Sequence, residues 1–129
     1  MSINYYVIPK ENPLKEGDTK YYAAAKMKGH IDQEELCQAI AQECTVTEHD
    51  VKAILSALQQ HIIQKLLQNQ SVRLGDLGSF HIKTNCEGVE DPDELSTDNL
   101  KAVKVHFRKS ARMLREMAVD ECKFNKITD

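Results

Sequence analysis

The sequence lacks any apolar run approaching the roughly 18 residues that a bilayer-spanning helix needs, and its start, MSINYYVIPKENP, lacks the basic-then-apolar order of a signal peptide. The expectation is a cytoplasmic protein with no membrane partner. No C-x-x-C pair occurs among Cys37, Cys44, Cys86 and Cys122, and the four are not densely spaced, so reduced thiols are expected rather than a zinc site or a disulfide scaffold. His30, His49, His61, His81 and His106 form no H-x-x-x-H, H-E-x-x-H or Cys/His cluster, and no metal is expected. The glycines of LGDLG make neither G-x-G-x-x-G nor a P-loop, and Ser79 has no G-x-S-x-G context, with Asp76 at best a turn residue. The chain therefore reads as a non-enzyme with no cofactor and no small-molecule substrate. Internal repeats and low-complexity tracts are absent too.

What is present suits one compact folded domain: 129 residues, 41% hydrophobic and 29% charged. The net charge of -3 hides a segregation. Residues 84–98 carry six acidic groups (Glu87, Glu90, Asp91, Asp93, Glu94, Asp98) and no basic one, whereas residues 99–115 carry six basic groups (Lys101, Lys104, Arg108, Lys109, Arg112, Arg115) and no acidic one. Such a split fits either a salt-bridged pair of surfaces or an anion-binding face.

Along the chain, INYYVI (residues 3–8) reads as a strand ending at Pro9, followed by a loop and a returning strand near residues 20–28. Asp32 and Glu35 have capping-box spacing ahead of a helix over about 33–44, in which Cys37 and Cys44 occupy the apolar face as small hydrophobes. Thr47 caps a second helix whose stripe runs Val51, Ile54, Leu55, Leu58, Ile62, Ile63, Leu66, Leu67, wide enough to demand packing on more than one side. Asn69 is placed to end it in the left-handed conformation. Val72, Leu74, Leu77, Phe80 and Ile82, broken by Gly75 and Gly78, read as strand, tight turn, strand, with Arg73, His81 and Lys83 on the polar side. In KAVKVHFRK (residues 101–109), Val103, Val105 and Phe107 face one way and Lys104, His106 and Arg108 the other, giving a cationic sheet face. Ser110 caps a short third helix, and from Val119 the tail shows no period.

With these elements in order, residues 47–80, and above all SVRLGDLGSFHIK (residues 71–83), resemble the HU and integration-host-factor family of bacterial histone-like DNA-binding proteins. The residues that carry the resemblance are Val72, Leu74, Gly75, Leu77, Gly78, Ser79 and Phe80, followed by Phe107-Arg108 and the helix over 110–118. The resemblance covers about residues 31–118, and the additional N-terminal strand with a short, modified arm looks like a divergent branch found in Bacteroidetes. It implies an α+β fold with an N-terminal helical hairpin, a three-stranded antiparallel sheet with a β-arm, a short C-terminal helix and an intertwined homodimer. It divides the chain into an extension (1–30), an HU-like domain (31–118) and a tail (119–129).

By the same resemblance the strands form a saddle for double-stranded DNA, contacted by Arg73, His81, Lys83, Lys101, Lys104, His106, Arg108, Lys109 and Arg112 with little sequence preference, in nucleoid architecture or regulation. Pro92 lies near the place of the family's wedging arm-tip proline, but Glu90, Asp91, Asp93 and Glu94 flank it where the family arm is basic. Lys109 and Ser110 stand where the family commonly has proline and glycine, and residues 1–30 have no counterpart in ordinary HU. The alternative is a dimeric structural or protein-interaction module of this fold that has lost DNA binding, and RNA binding is a third.

Overall fold

The computed structural model describes residues 2–128. In chain order its elements are β1 (Ile3–Glu11), β2 (Thr19–Ala25), α1 (Gln33–Glu43), α2 (Glu48–Leu67), β3 (Val72–Arg73), β4 (Gly78–Cys86), β5 (Leu100–Lys109), α3 (Ala111–Glu116) and β6 (Phe124–Lys126). The α+β class is as expected, but the strands make two three-stranded sheets, β2-β1-β6 and β3-β4-β5. Two compact units result instead of one: residues up to Asp32 together with those from Arg115 onward, and Gln33–Leu114.

In the first unit β1 pairs antiparallel with β2 and parallel with β6. The C-terminal segment, too short for a hydrophobic period, is held through its backbone: Ile3 N–H donates to the Lys123 carbonyl at 2.7 Å and Ile127 N–H to the Tyr5 carbonyl at 2.9 Å. Strand β1 continues through Pro9, where a strand end was expected. The Tyr5 carbonyl points to the β6 side, so by alternation the donor-less Pro9 nitrogen does so too. Pro9 lies beyond the end of β6, on an open edge where no ladder bond is lost.

In the second unit, α2 begins with a reciprocal cap. The Asp50 N–H donates to Thr47 Oγ1 at 3.2 Å, while the Thr47 N–H and hydroxyl donate to the Asp50 carboxylate at 3.2 and 2.8 Å. These bonds from Thr47 hold the Asp50 carboxyl below the ordinary aspartate range. Asn69 sits at φ 63 as expected, and the chain turns out of the helix there. Helix α1 packs along α2, burying Cys37 and Val51, and a Gln59–Gln33 side-chain hydrogen bond of 2.8 Å ties the two at the surface.

This coverage is one-sided. Ile54 and Ile63 on α2 remain 61% and 59% exposed, and Val103, Val105 and Phe107 on β5 are exposed as well. The stripe is thus wider than its own chain covers.

Strands β3, β4 and β5 form an antiparallel sheet. A four-residue turn closed by the Leu77 N–H to the Leu74 carbonyl (3.0 Å) links β3 to β4, with Gly75 at φ 52. Gly78 has φ 151, and an added Cβ there would overlap the Arg108 carbonyl and meet the Phe107 ring at 2.8 Å, so only glycine fits. The expected β-arm is absent. After Cys86 pairs with Leu100, the intervening residues form two 3-10 turns, Pro92–Glu94 and Thr97–Asn99. Local bonds take the backbone donors that a ladder would need: Asp93 N–H donates to Asp91 Oδ1 at 3.1 Å, and Ser96 N–H to Asn99 Oδ1 at 2.9 Å.

Candidate functional site

Register turns the alternation of charge along β3, β4 and β5 into a surface. Ser79 lies opposite both Arg73 and Arg108, His81 opposite His106, and Lys83 opposite Lys104. Directly opposed residues of antiparallel strands project to the same face, so Arg73, Ser79, His81, Lys83, Lys104, His106 and Arg108 share one side of the sheet. Phe80, Ile82, Val105 and Phe107 share the other, where the Phe80 and Phe107 rings meet at 5.2 Å between centroids.

Within the polar face, the His81 and His106 rings stack across the strands at 5.7 Å. Lys83 opposes Lys104, a like-charge pair that weakens a sheet when nothing offsets it. Among the described residues, Arg73, Lys83, Lys104 and Arg108 have no carboxylate within ion-pair distance. These four basic side chains thus share a face without an ion-pair partner among the described residues. At one end of the face lies an open hollow of about 410 Å³, whose lining includes Arg73, Ser79, Arg108, Lys109 and Ser110.

The remaining candidates lie elsewhere. Lys109 opposes Gly78 and so has the parity of Phe107, off the row of Arg108, and meets the cationic face only where it lines the hollow at the sheet end. Lys101 follows the irregularity after Asn85 and pairs with Glu87 at 3.0 Å, while Arg112 on α3 pairs with Asp76 at 3.3 Å. Both pairs are exposed, of the kind worth about 0–1 kcal/mol. Pro92 opens the first 3-10 turn, with the Asp91 carboxylate turned onto the Asp93 N–H. Ser79, between the two arginines, is a face residue that sequence reasoning missed, although its parity with His81 and Lys83 was available. Ser110 holds α3 to the sheet end: its hydroxyl donates to the Asp76 carbonyl and its oxygen accepts from the Met113 N–H at 3.0 Å.

The chain matches a family profile described as an HU domain fused to wHTH, Ig, or glycine-rich motif, over residues 1–126. The chain belongs to the HU-HIG family. The matched residues include those of the β2-β1-β6 sheet. No curated protein matches the chain.

Among solved structures, a candidate bacterial DNA-binding protein from Bacteroides vulgatus aligns with a TM-score of 0.66 at 13% identity, covering 98% of this chain and 48% of that one. The chain thus spans about half the length of that protein. A single-substitution variant of HU from Thermotoga maritima aligns with a TM-score of 0.52 at 17% identity, over 68% of this chain and all of that one. HU from Anabaena, in a cocrystal with DNA, aligns with a TM-score of 0.55 at 21% identity, over 69% of this chain and 99% of that one. At these identities the likeness is one of fold, and it agrees with the resemblance read from residues 71–83.

Proposed function

We propose that the chain is a non-enzymatic, histone-like architectural protein that binds double-stranded DNA through the Arg73–Ser79–Arg108, His81–His106 and Lys83–Lys104 rows, with little sequence preference. The observation that carries this reading is the register, which gathers four carboxylate-free cations on one face. Phosphates need cations at a surface and no base-reading side chain, which suits a flat sheet. The cocrystal of the Anabaena neighbour with DNA supports the same use of the fold. The DNA-binding module is residues 31–118, flanked by residues 1–30 and 119–129, which share the β2-β1-β6 sheet, and its place is the cytoplasmic nucleoid.

The working form is a homodimer. Ile54, Ile63, Val103, Val105 and Phe107 leave an apolar surface that a second copy would cover. Light scattering is expected to give twice the 14.7 kDa chain mass, and a folded species that stays at chain mass on concentration would refute it.

A gel-shift titration at two salt concentrations tests the DNA reading. Replacing Arg73, Lys83, Lys104 and Arg108 by alanine together should weaken binding to every duplex about 100-fold or more and lower the log-log salt slope by roughly one per lost contact. Unchanged binding in a folded quadruple variant would favour the second reading, a dimeric protein-interaction module, which the acidic turns between β4 and β5 support.

A further inference from the structure

The N-terminal sheet carries a second signature of opposed cations. Lys10 lies directly across from Lys20, and the Lys26 N–H extends the ladder by donating to the Asn4 carbonyl at 2.7 Å. By the alternation of β1 and β2, Lys10, Lys20 and Lys26 share one face with Tyr6, Ile8 and Tyr22, whereas Glu11 projects from the other. Lysine on these two strands and at the residue that follows is thus confined to one side. The exception in the sheet is Lys126 of β6, which registers with Tyr5 on the opposite face.

Two features argue against a merely solvated face. Opposed lysines weaken a strand pair, and Lys10, Lys20 and Lys26 have no carboxylate within ion-pair distance among the described residues, although Glu11 and Asp18 line the same hollow as Lys10 and Lys20. In addition, two of the ammonium groups are held in place: Lys10 Nζ lies 5.4 Å from the Tyr22 ring centroid, and Lys26 Nζ 5.7 Å from that of Tyr6. The Lys26 row and the Lys10–Lys20 row are six residues apart on β1, about 20 Å at the rise of a strand.

We propose that this face is a second, sequence-independent binding surface for the phosphates of duplex DNA, distinct from the β3-β4-β5 face and resting on the DNA-binding reading given above. The positions of the lysines favour duplex over single strand. A single strand is gripped by stacking bases on open aromatic rings, and here lysine ammonium groups lie over the faces of Tyr6 and Tyr22. Charge is the feature on offer.

The test uses the full chain, a random-sequence duplex and a single-stranded oligonucleotide of equal length, titrated at several salt concentrations. Combined Lys10→Gln, Lys20→Gln and Lys26→Gln should weaken duplex binding about tenfold and reduce the salt slope by two to three per chain. The combined Lys→Arg variant should keep the parent affinity, which separates lost charge from a disturbed sheet. Parent-like duplex affinity and slope in the glutamine variant, while the Arg73/Lys83/Lys104/Arg108 variant loses binding, would overturn this inference and leave the proposed function standing. Loss confined to the single strand, or an arginine variant as weak as the glutamine one, would also overturn it. If the parent chain itself does not bind duplex, the DNA-binding reading falls first and this inference with it.

Discussion

The two ends of the β4–β5 hairpin oppose each other chemically. Its body gathers Lys83, Lys104 and Arg108 on a regular antiparallel ladder, with Arg73 of the neighbouring β3 beside them, and its tip, Glu87 to Asn99, gathers carboxylates around two 3-10 turns. The body is ordered by cross-strand backbone bonds, so side-chain parity is rigid and charge becomes a plane. The tip is ordered by the Asp91 and Asn99 side chains, which accept from the Asp93 and Ser96 N–H groups and give compactness but no extended arm. An anionic ligand drawn to the first is repelled by the second, and the net charge of the chain conceals both.

The largest expected effect breaks the ladder itself. Gly78→Ala places a Cβ against the Arg108 carbonyl and the Phe107 ring at a positive φ, and should cost on the order of 3 kcal/mol of folding stability, read by denaturant unfolding. A wild-type midpoint would mean that the strands separate at that point at little cost. Next comes Ser110→Ala, which removes the α3 cap and the bond to the Asp76 carbonyl and should destabilise by about 1 kcal/mol in the same assay.

Replacing residues 87–98 by a short Gly/Ser turn sharpens the contrast directly. Like charges about 4 Å apart repel by roughly 1 kcal/mol even in bulk water, so removing the carboxylates should leave duplex affinity at low salt equal or several-fold tighter. A large loss would show that the tip grips DNA despite its charge.

A smaller effect is expected at the α2 cap. The Asp50 carboxyl is held below its ordinary range by the bonds from Thr47, so the folded state binds that proton less readily than the unfolded one. Its stabilising contribution is present above the unfolded value and fades as pH falls through the folded one. Asp50→Asn should therefore lower Tm modestly at neutral pH, with the gap to wild type narrowing in acid, and a gap that widens in acid would reverse the sign. Least of all, Pro92→Ala should leave any DNA bending unchanged, as a fluorescence-transfer assay on end-labelled duplex would show, because Pro92 opens a local turn and carboxylates flank it.

Local chemistry was legible in the residues. Thr47 capping α2, Asn69 in the left-handed region, Ser110 capping α3 and the glycine-made turn at LGDLG all depend on neighbours within a few positions, and the structure has them where the sequence placed them. Parity along β4 and β5 was legible as well, which is why Arg73, His81, Lys83, Lys104, His106 and Arg108 emerge on one face. By itself, then, the sequence determined the helices, their caps, the alternation of charge and the likeness to the HU fold. The tertiary structure alone decided the rest. Strand β6 exists because Lys123 and Ile127 find β1 backbone more than a hundred residues away, a long-range pairing with no periodic trace in a segment so short. Lys109 left the cationic face because register with Gly78, rather than nearness to Arg108, fixes its side, and Lys101 and Arg112 found carboxylates that only the folded chain brings near. Spacing along a chain dictates which way a side chain points within its own element, but what it points at is set by the partner strand.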